Sequence, residues 1–311
     1  MKKRMLMICT LLGIIGLSGC GHRNGVQITE ENVTENTIAV EGLMGEYDFL
    51  FLTDTHIVVS STKDSEQESA NAAARAPGFV DEMGISSAIQ FPVWMRYARE
   101  QKVDAVLLGG DIIDTPSSGN IEHLRKALDT LTMPYLYTLG NHDWTYPWEY
   151  MTERGKAEYL PLLEPMMQGN TKIGRLDIGE LTIVEVDNSS GQVNGEALES
   201  YRDILAENRP TIVMLHVPFM TPSVLEKAGE VWSSGVVIGG SDVASIEPNE
   251  ASAAFLEMTT AKDSPVIAVI AGHVHLYDKD YIAGEKNVLQ LVGDAGYKRR
   301  GMLLHIAGIE N

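Results

Sequence analysis

Five apolar runs in this chain stop at aspartate, asparagine or histidine, the residue types that hold metal ions through oxygen and nitrogen. The run 133–139 ends in Gly140, Asn141, His142 and Asp143. The run 49–52 leads to Asp54 and His56, and 106–108 leads through Gly109 and Gly110 to Asp111. Residues 212–215 end in His216, and 266–271 end in Gly272, His273, Val274 and His275. Five of the eight histidines stand at these ends, where chance would scatter them along the chain. Taken singly, an Asp or His after a strand is a turn or cap residue. As a set, so many carboxylates and imidazoles would lie uncompensated unless something positive joined them.

Asp, Asn and His without cysteine form a hard to borderline donor set, suited to Mn, Fe, Zn or Co. Asp54, His56, Asp111, Asn141, His216, His273 and His275 are seven donors, more than one ion needs. Two ions roughly 3.5–4 Å apart, sharing one carboxylate and one hydroxide, account for the number. Asp111 is the expected shared carboxylate. Paired cations suit phosphate ester cleavage, because they neutralise the ester oxygens and lower the pKa of a bound water. A departing alkoxide then needs a proton. An imidazole that is not a ligand, oriented by a carboxylate on its far nitrogen, supplies one, and His142 fits that description.

Several elements must bring these residues together. Buried parallel strands that end in polar groups deliver them to a sheet edge, where α/β proteins bind ligands. Ile85, Ile89, Trp94 and Tyr97 suggest a helical face that Pro92 must kink or restart. Ile121, Leu124, Leu128 and Leu131 form an amphipathic stripe with Asn120 as its expected cap, and His123 falls off that stripe, on the solvent side. Residues 172–178 and 181–186 flank Gly179 and Glu180 as an antiparallel hairpin, with Gly placed first as a type II′ turn prefers. Leu198, Tyr201 and Leu205 mark another helix, and one more is expected over about 248–260, with Pro248 in its first turn. A late hairpin at 281–283 and 288–292 and a strand at 302–306 close the pattern; His305 alternates within that strand as a structural residue.

Two segments border the expected site. Residues 60–76, rich in Ser, Ala and charge with Lys63 and Arg75 as the only cations, form an insertion, either a mobile lid or a surface helix, read as a partly ordered flap that helps choose substrate. The Gly, Ser and Asp-rich stretch 232–250 lies between two ligand-bearing strands and should line the pocket. Residues 144–150 hold two of the four tryptophans and read as a self-packed aromatic cluster beside the site. There is no P-loop, dinucleotide fingerprint or internal repeat.

The N-terminus reads separately. Lys2, Lys3 and Arg4 precede an apolar stretch, 5–17, that is too short to stay in a bilayer as a helix. It ends in Leu17, Ser18, Gly19 and Cys20, which resembles a bacterial lipobox. The expectation is a lipoprotein signal peptide over 1–19, lipid attachment at Cys20, a tether over 20–42 and a catalytic domain over 43–309, in an exported, membrane-anchored chain. Cys9 would leave with the signal, so no disulfide is expected. Loss of the three basic residues takes the formal net charge from −19 to −22. Such acidity disfavours duplex nucleic acid and anionic lipid surfaces, so anchoring is left to acyl chains on Cys20.

Together the residues resemble the calcineurin-like metallophosphoesterase family over about 47–306. All five of its motifs appear in order: Asp54 with His56, Asp111 with Asp114 behind Gly110, Gly140 to Asp143, His216 before Pro218, and Gly272 with His273 and His275. The resemblance implies an α/β fold in which a two-sheet β-sandwich is flanked by helices, a four-layer α/β/β/α arrangement. It implies one metal on Asp54, His56, Asp111 and His275, and a second on Asp111, Asn141, His216 and His273. It also implies in-line attack by a metal-bridging hydroxide, His142 as the acid, Asp114 orienting it, and Asp143 as a supporting acid. Purple acid phosphatases, a branch of the same family, carry a metal-binding tyrosine three residues after the shared aspartate; here that position is Asp114, so their iron–tyrosinate chemistry is not implied. The spacing from His56 to Asp111 is long for the family. The expected activity is a metal-dependent phosphoric ester hydrolase for a phosphomonoester or small phosphodiester. The alternatives are a nucleotide or lipid-head-group phosphodiesterase and, from another class, a non-catalytic metal-binding surface lipoprotein.

Overall fold

The structure is a computed structural model that describes residues 26–145 and 151–309. Residues 1–25, including the expected signal peptide and Cys20, lie outside the described residues, as do 146–150 of the aromatic segment.

In chain order the strands are β1 (Val33–Val40), β2 (Tyr47–Leu52), β3 (Ala105–Leu108), β4 (Tyr135–Tyr137), β5 (Ile173–Ile178), β6 (Leu181–Val186), β7 (Thr211–Met214), β8 (Val237–Ile238), β9 (Ser245–Ile246), β10 (Val266–Ala271), β11 (Asp278–Ile282), β12 (Val288–Val292) and β13 (Gly301–Gly308). One sheet runs β1-β13-β2-β3-β4 and the other β11-β12-β10-β7-β6-β5, while β8 and β9 pair by themselves. The ligand-bearing strands run parallel to one another: β2, β3 and the edge strand β4 in the first sheet, and the central β7 and β10 in the second.

Near-continuous apolar runs form these strands because both faces are covered. Along β2, Phe49 and Phe51 point to the second sheet and meet Ile183, Ile212, Met214 and Ile270. Leu50 and Leu52 point the other way, against Phe91 and Trp94 of helix Ser87–Gln101. Beyond the second sheet, Val213 and Val269 pack on Tyr201 and Phe255 from two further helices. Helix, sheet, sheet and helix follow in order, the four-layer arrangement that the resemblance implied.

The expected tether is corrected over its C-terminal part. Val33–Val40 is an edge strand, paired in parallel along its whole length with β13. Its burial alternates, with Asn36, Ile38 and Val40 inside. Asn36 hides the alternation in the sequence, and it is tolerated there because the Tyr277 hydroxyl donates to its Oδ1 at 3.1 Å. The β5–β6 hairpin forms as expected, and Gly179 takes a positive φ of 55°.

Three local readings change. Helix Ser118–Leu128 is capped by Ser117, whose side chain accepts from the Asn120 amide; Asn120 is buried and ties the Val59 amide and the Thr115 carbonyl instead. Helix Glu250–Thr260 begins after Asn249, which caps it, so Pro248 lies outside the helix. His123 is half-buried, not solvated. Pro92 continues the helix but lacks the N–H that would reach the Ala88 carbonyl, and His123 Nε2 donates to that carbonyl at 2.8 Å. His305 pairs with Asp48 at 2.6 Å, far from the ligand-bearing strand ends.

If β1 is integral, replacing both Ile38 and Val40 by Ala will lower unfolding stability by about 3–6 kcal/mol. Urea titration of the double variant reads this directly; an unchanged midpoint would return 33–40 to the tether.

Candidate metal centre

Five of the functional side chains leave their strands on a sharply turned backbone. Asp54, His56, Asp111, His273 and His275 all have positive φ, between 42° and 73°. Non-glycine residues avoid that region at about 1–2 kcal/mol each, so the conformation persists only where surrounding bonds impose it. Those bonds are present. The loops after β2 and β3 stay paired beyond the strands, with the amides of Asp54 and His56 donating to the carbonyls of Gly110 and Asp111, both at 2.9 Å. Across the second sheet, the Gly272 amide donates to the His216 carbonyl at 2.9 Å. Gly110 has φ +89°, and a Cβ there would lie 2.6 Å from His216 Nδ1. At Gly272 a Cβ would collide with Thr53 and crowd Asp54 Oδ2.

All seven expected donors converge. Asp54, His56, Asp111 and His275 form one group of potential ligand atoms within 4.8 Å of one another, and Asp111, His216 and His273 form another. Asp111 belongs to both. Its Oδ2 lies 3.3 Å from His216 Nε2 and 3.8 Å from His56 Nε2. Asn141 lines the same cavity beside Asp111 and His273, and its Oδ1 is buried without a hydrogen-bond partner among the described residues. As an amide oxygen it is a donor atom whose chemistry fits a cation.

The spacing fits metal ions. Donors held about 2.0–2.2 Å from one ion stand roughly 3–3.5 Å apart. His56 Nε2 faces His275 Nε2 at 3.2 Å, and His216 Nε2 faces His273 Nδ1 at 3.1 Å. Asp54 Oδ1 is 3.2 Å from His275 Nε2. Imidazole lone pairs pointed at each other need a proton or a cation between them. The outer shell is in place as well: His216 Nδ1 bonds the Gly109 carbonyl at 2.9 Å, leaving Nε2 for a ligand, and Asp54 Oδ2 accepts from Thr53 Oγ1 at 2.7 Å and the His273 amide at 2.9 Å. The donor set therefore suits two ions.

Electrostatics agree. Burial pushes His56 down to about 4 and His273 to about 3, so both present neutral nitrogens. Burial would raise Asp54, but His275 beside it brings it to about 2. Burial would also lower His216, yet the adjoining Asp111 carboxylate lifts it to about 9. Without metal, a proton on His216 answers the Asp111 charge.

A third cluster, His56, Asp114 and His142, is of another kind. Asp114 Oδ1 is 2.9 Å from His142 Nδ1 and 3.3 Å from His56 Nδ1. Arg75 grips both oxygens of Asp114, through Nε to Oδ2 and through Nη2 to Oδ1 at 2.7 Å. A guanidinium already fills the place a third ion would take. Burial raises the Asp114 carboxyl, but the bonds from Arg75, His142 and His56 hold it well below the usual range. His142 is raised: burial opposes its charge, and Asp111 and Asp114 outweigh that.

Asp143 stands elsewhere. Its carboxylate accepts from the amides of Asp111, Ile113 and Gly140 at 3.0, 3.0 and 2.7 Å, so it fixes the loops that carry Asp111 and Asn141 and does not face the cavity. Burial and the Asp111 charge push it up to about 7.

Sequence reasoning missed Arg75 as a site residue. It ends helix Glu66–Arg75, inside the insertion read as a flap, and its guanidinium lies 5.3 Å over Phe79, which stacks on His56 with centroids 4.4 Å apart. The long spacing between His56 and Asp111 was the available signal. The 232–250 stretch does line the cavity, through Trp232, Ser234, Gly235, Val236 and Ile246.

A calcineurin-like phosphoesterase domain is recognised over residues 47–277, most of the chain and all seven donors. The chain belongs to the calcineurin-like phosphoesterase family. It is a hydrolase of phosphoric esters with a dinuclear metal centre. No curated protein matches it. Among solved structures it resembles a dimetal phosphatase from Danio rerio, at 11% identity and TM-score 0.48 over 81% of this chain and 88% of that one. A purple acid phosphatase from yellow lupin, Lupinus luteus, matches at 13% identity and TM-score 0.50, over 85% of this chain and 46% of that one. At such identity the likeness is one of fold.

Metal binding must displace the proton on His216, so affinity will rise with pH up to about 9. Competition of Mn²⁺ with a chelator between pH 6 and 8 should show an increase of about tenfold per pH unit, once corrected for the chelator's own protonation, at the site that holds His216. A flat profile would remove His216 from the ligand set.

Proposed function

We propose that this phosphoesterase cleaves a phosphomonoester or small phosphodiester with His142 as the acid that protonates the leaving oxygen. The observation that carries the reading is the His142–Asp114 pair at 2.9 Å, with the His142 ring lining the cavity beside both ligand groups and belonging to neither. Bound on Asp54, His56, Asp111, Asn141, His216, His273 and His275, two ions would neutralise ester oxygens and supply an acidified water. The chain does the rest. The Asp114 carboxylate, 2.9 Å from Nδ1, favours a proton on that nitrogen, which leaves Nε2 to hold the transferable proton, and it stabilises the imidazolium that carries it. Arg75 keeps Asp114 ionised and fixes both of its oxygens. Asp143 acts through the backbone, setting Asp111.

A nucleotide or lipid-head-group phosphodiesterase is the second reading, and the cavity beside the centre, about 410 Å³, has room for such an arm. A metal-capturing surface protein would use the same donors, but it would have no use for His142 held by Asp114 and Arg75. We further propose export and lipid anchoring at Cys20, supported by the basic start, the apolar stretch 5–17 and the Leu17 to Cys20 sequence.

His142→Ala will retain two ions per chain by elemental analysis and lose about 10²–10⁴ in turnover of alkyl phosphate esters. Equal rates in the two proteins would remove the acid assignment, and a fully metallated wild type inactive on every ester would favour metal capture. Arg75→Ala will lose about tenfold more activity on alkyl esters than on 4-nitrophenyl esters, whose leaving group needs no proton, and Arg75→Lys, which cannot span both oxygens, will restore little. For the anchor, mass spectrometry of membrane-extracted protein will find an acylated N-terminal Cys20; a free thiol there would contradict it.

A further inference from the structure

We propose that the cavity beside the metal centre is a subsite for the organic arm of the ester, and that it selects single-phosphate esters with an uncharged, apolar, ring-sized arm. The proposal rests on the phosphohydrolase reading and adds the substrate's class.

One end of the cavity is the chemistry: Asp111, Asn141, His142, His273 and His275. Its lining also holds an apolar set, Met151, Val217, Trp232, Val236 and Ile246. This wall is built, not slack. The Trp232 indole N–H donates to the Val274 carbonyl at 3.0 Å, and the ring meets His275 edge-on, with centroids 5.5 Å apart. Trp232 is thus pinned between the metal-ligand loop and the cavity. Val217 and Val236 are buried, and the amides of Val236 and Met220 tie the segment to Ala244 and Ile238 at 2.8 Å. A rigid aromatic surface of this kind takes a planar or aliphatic group with little ordering cost.

The charges exclude other arms. Among the described residues no lysine or arginine lines the cavity. Three cations near the centre are engaged elsewhere: Arg75 with Asp114, Lys156 with Asp187 at 2.5 Å and Ser189 at 3.0 Å, and Lys298 with the His275 carbonyl at 2.7 Å and Asp294 at 3.3 Å. A second phosphate on the arm would meet apolar side chains of an acidic protein, with no cationic side chain among the described residues that line the cavity beyond the centre itself. At about 410 Å³ the space suits one small molecule, and the serines among its lining residues, Ser189, Ser190 and Ser234, carry no charge.

The test uses the metallated full domain and esters bearing methyl, butyl or benzyl arms, whose alkoxides are similarly basic, made as monoesters and as 4-nitrophenyl diesters. In whichever class is turned over, KM should fall about tenfold or more from methyl to benzyl. Butanediol bisphosphate should bind more weakly than butyl phosphate as a competitive inhibitor. Trp232→Ala should flatten the methyl-to-benzyl gradient, and Met151→Lys, at an exposed position, should reverse the preference in favour of the bisphosphate. Active enzyme with no gradient, or tighter binding of the bisphosphate to wild type, would overturn the subsite while leaving the hydrolase standing. No turnover of any ester with two ions bound would remove the hydrolase reading and the subsite with it.

Discussion

The structure depends on one buried anion. Asp111 is almost completely enclosed, its Oδ2 aimed between His56 and His216 and its Oδ1 accepting from the His142 amide at 2.7 Å. A carboxylate in such a place must be answered by positive charge, because burial without compensation costs several kcal/mol. The surrounding imidazoles cannot all become charged, since they repel one another. Two shared cations satisfy the carboxylate and the facing imidazoles together, and the fold holds the donors ready for them.

Such readiness requires strain, and the strain explains the supporting architecture. Five donors sit in a backbone region that their side chains disfavour, held by loop pairing that continues past the ends of β2, β3 and β10. Asp143 gathers three amides to fix Asp111, and Arg75 clamps Asp114 from outside the sheets. These groups touch neither ion nor substrate, but they decide where the groups that do will stand.

Much of this was legible in the chain, for physical reasons that differ by element. Buried central strands write themselves as apolar runs, and their polar ends identify the ligands because little else places His and Asp there. The hairpin at Gly179 was readable from its turn. β1 was not, since Asn36 interrupts its alternation and its Oδ1 is met by a tyrosine 241 residues away. His123 was misread because its partner, the Ala88 carbonyl, is freed by a proline on a different helix. Arg75 lay in a stretch whose composition suggests solvent, and its role follows from a tertiary ion pair that no local pattern encodes.

The donors are divided between the layers: Asp54, His56, Asp111 and Asn141 follow strands of the first sheet, and His216, His273 and His275 follow strands of the second. Either ion, once seated, would rivet the two sheets across their seam. Wear in the apolar filling between them, at Phe51 or Met214 for instance, would then reach the reaction as a change of bite between opposing jaws, far from any residue that takes part in it.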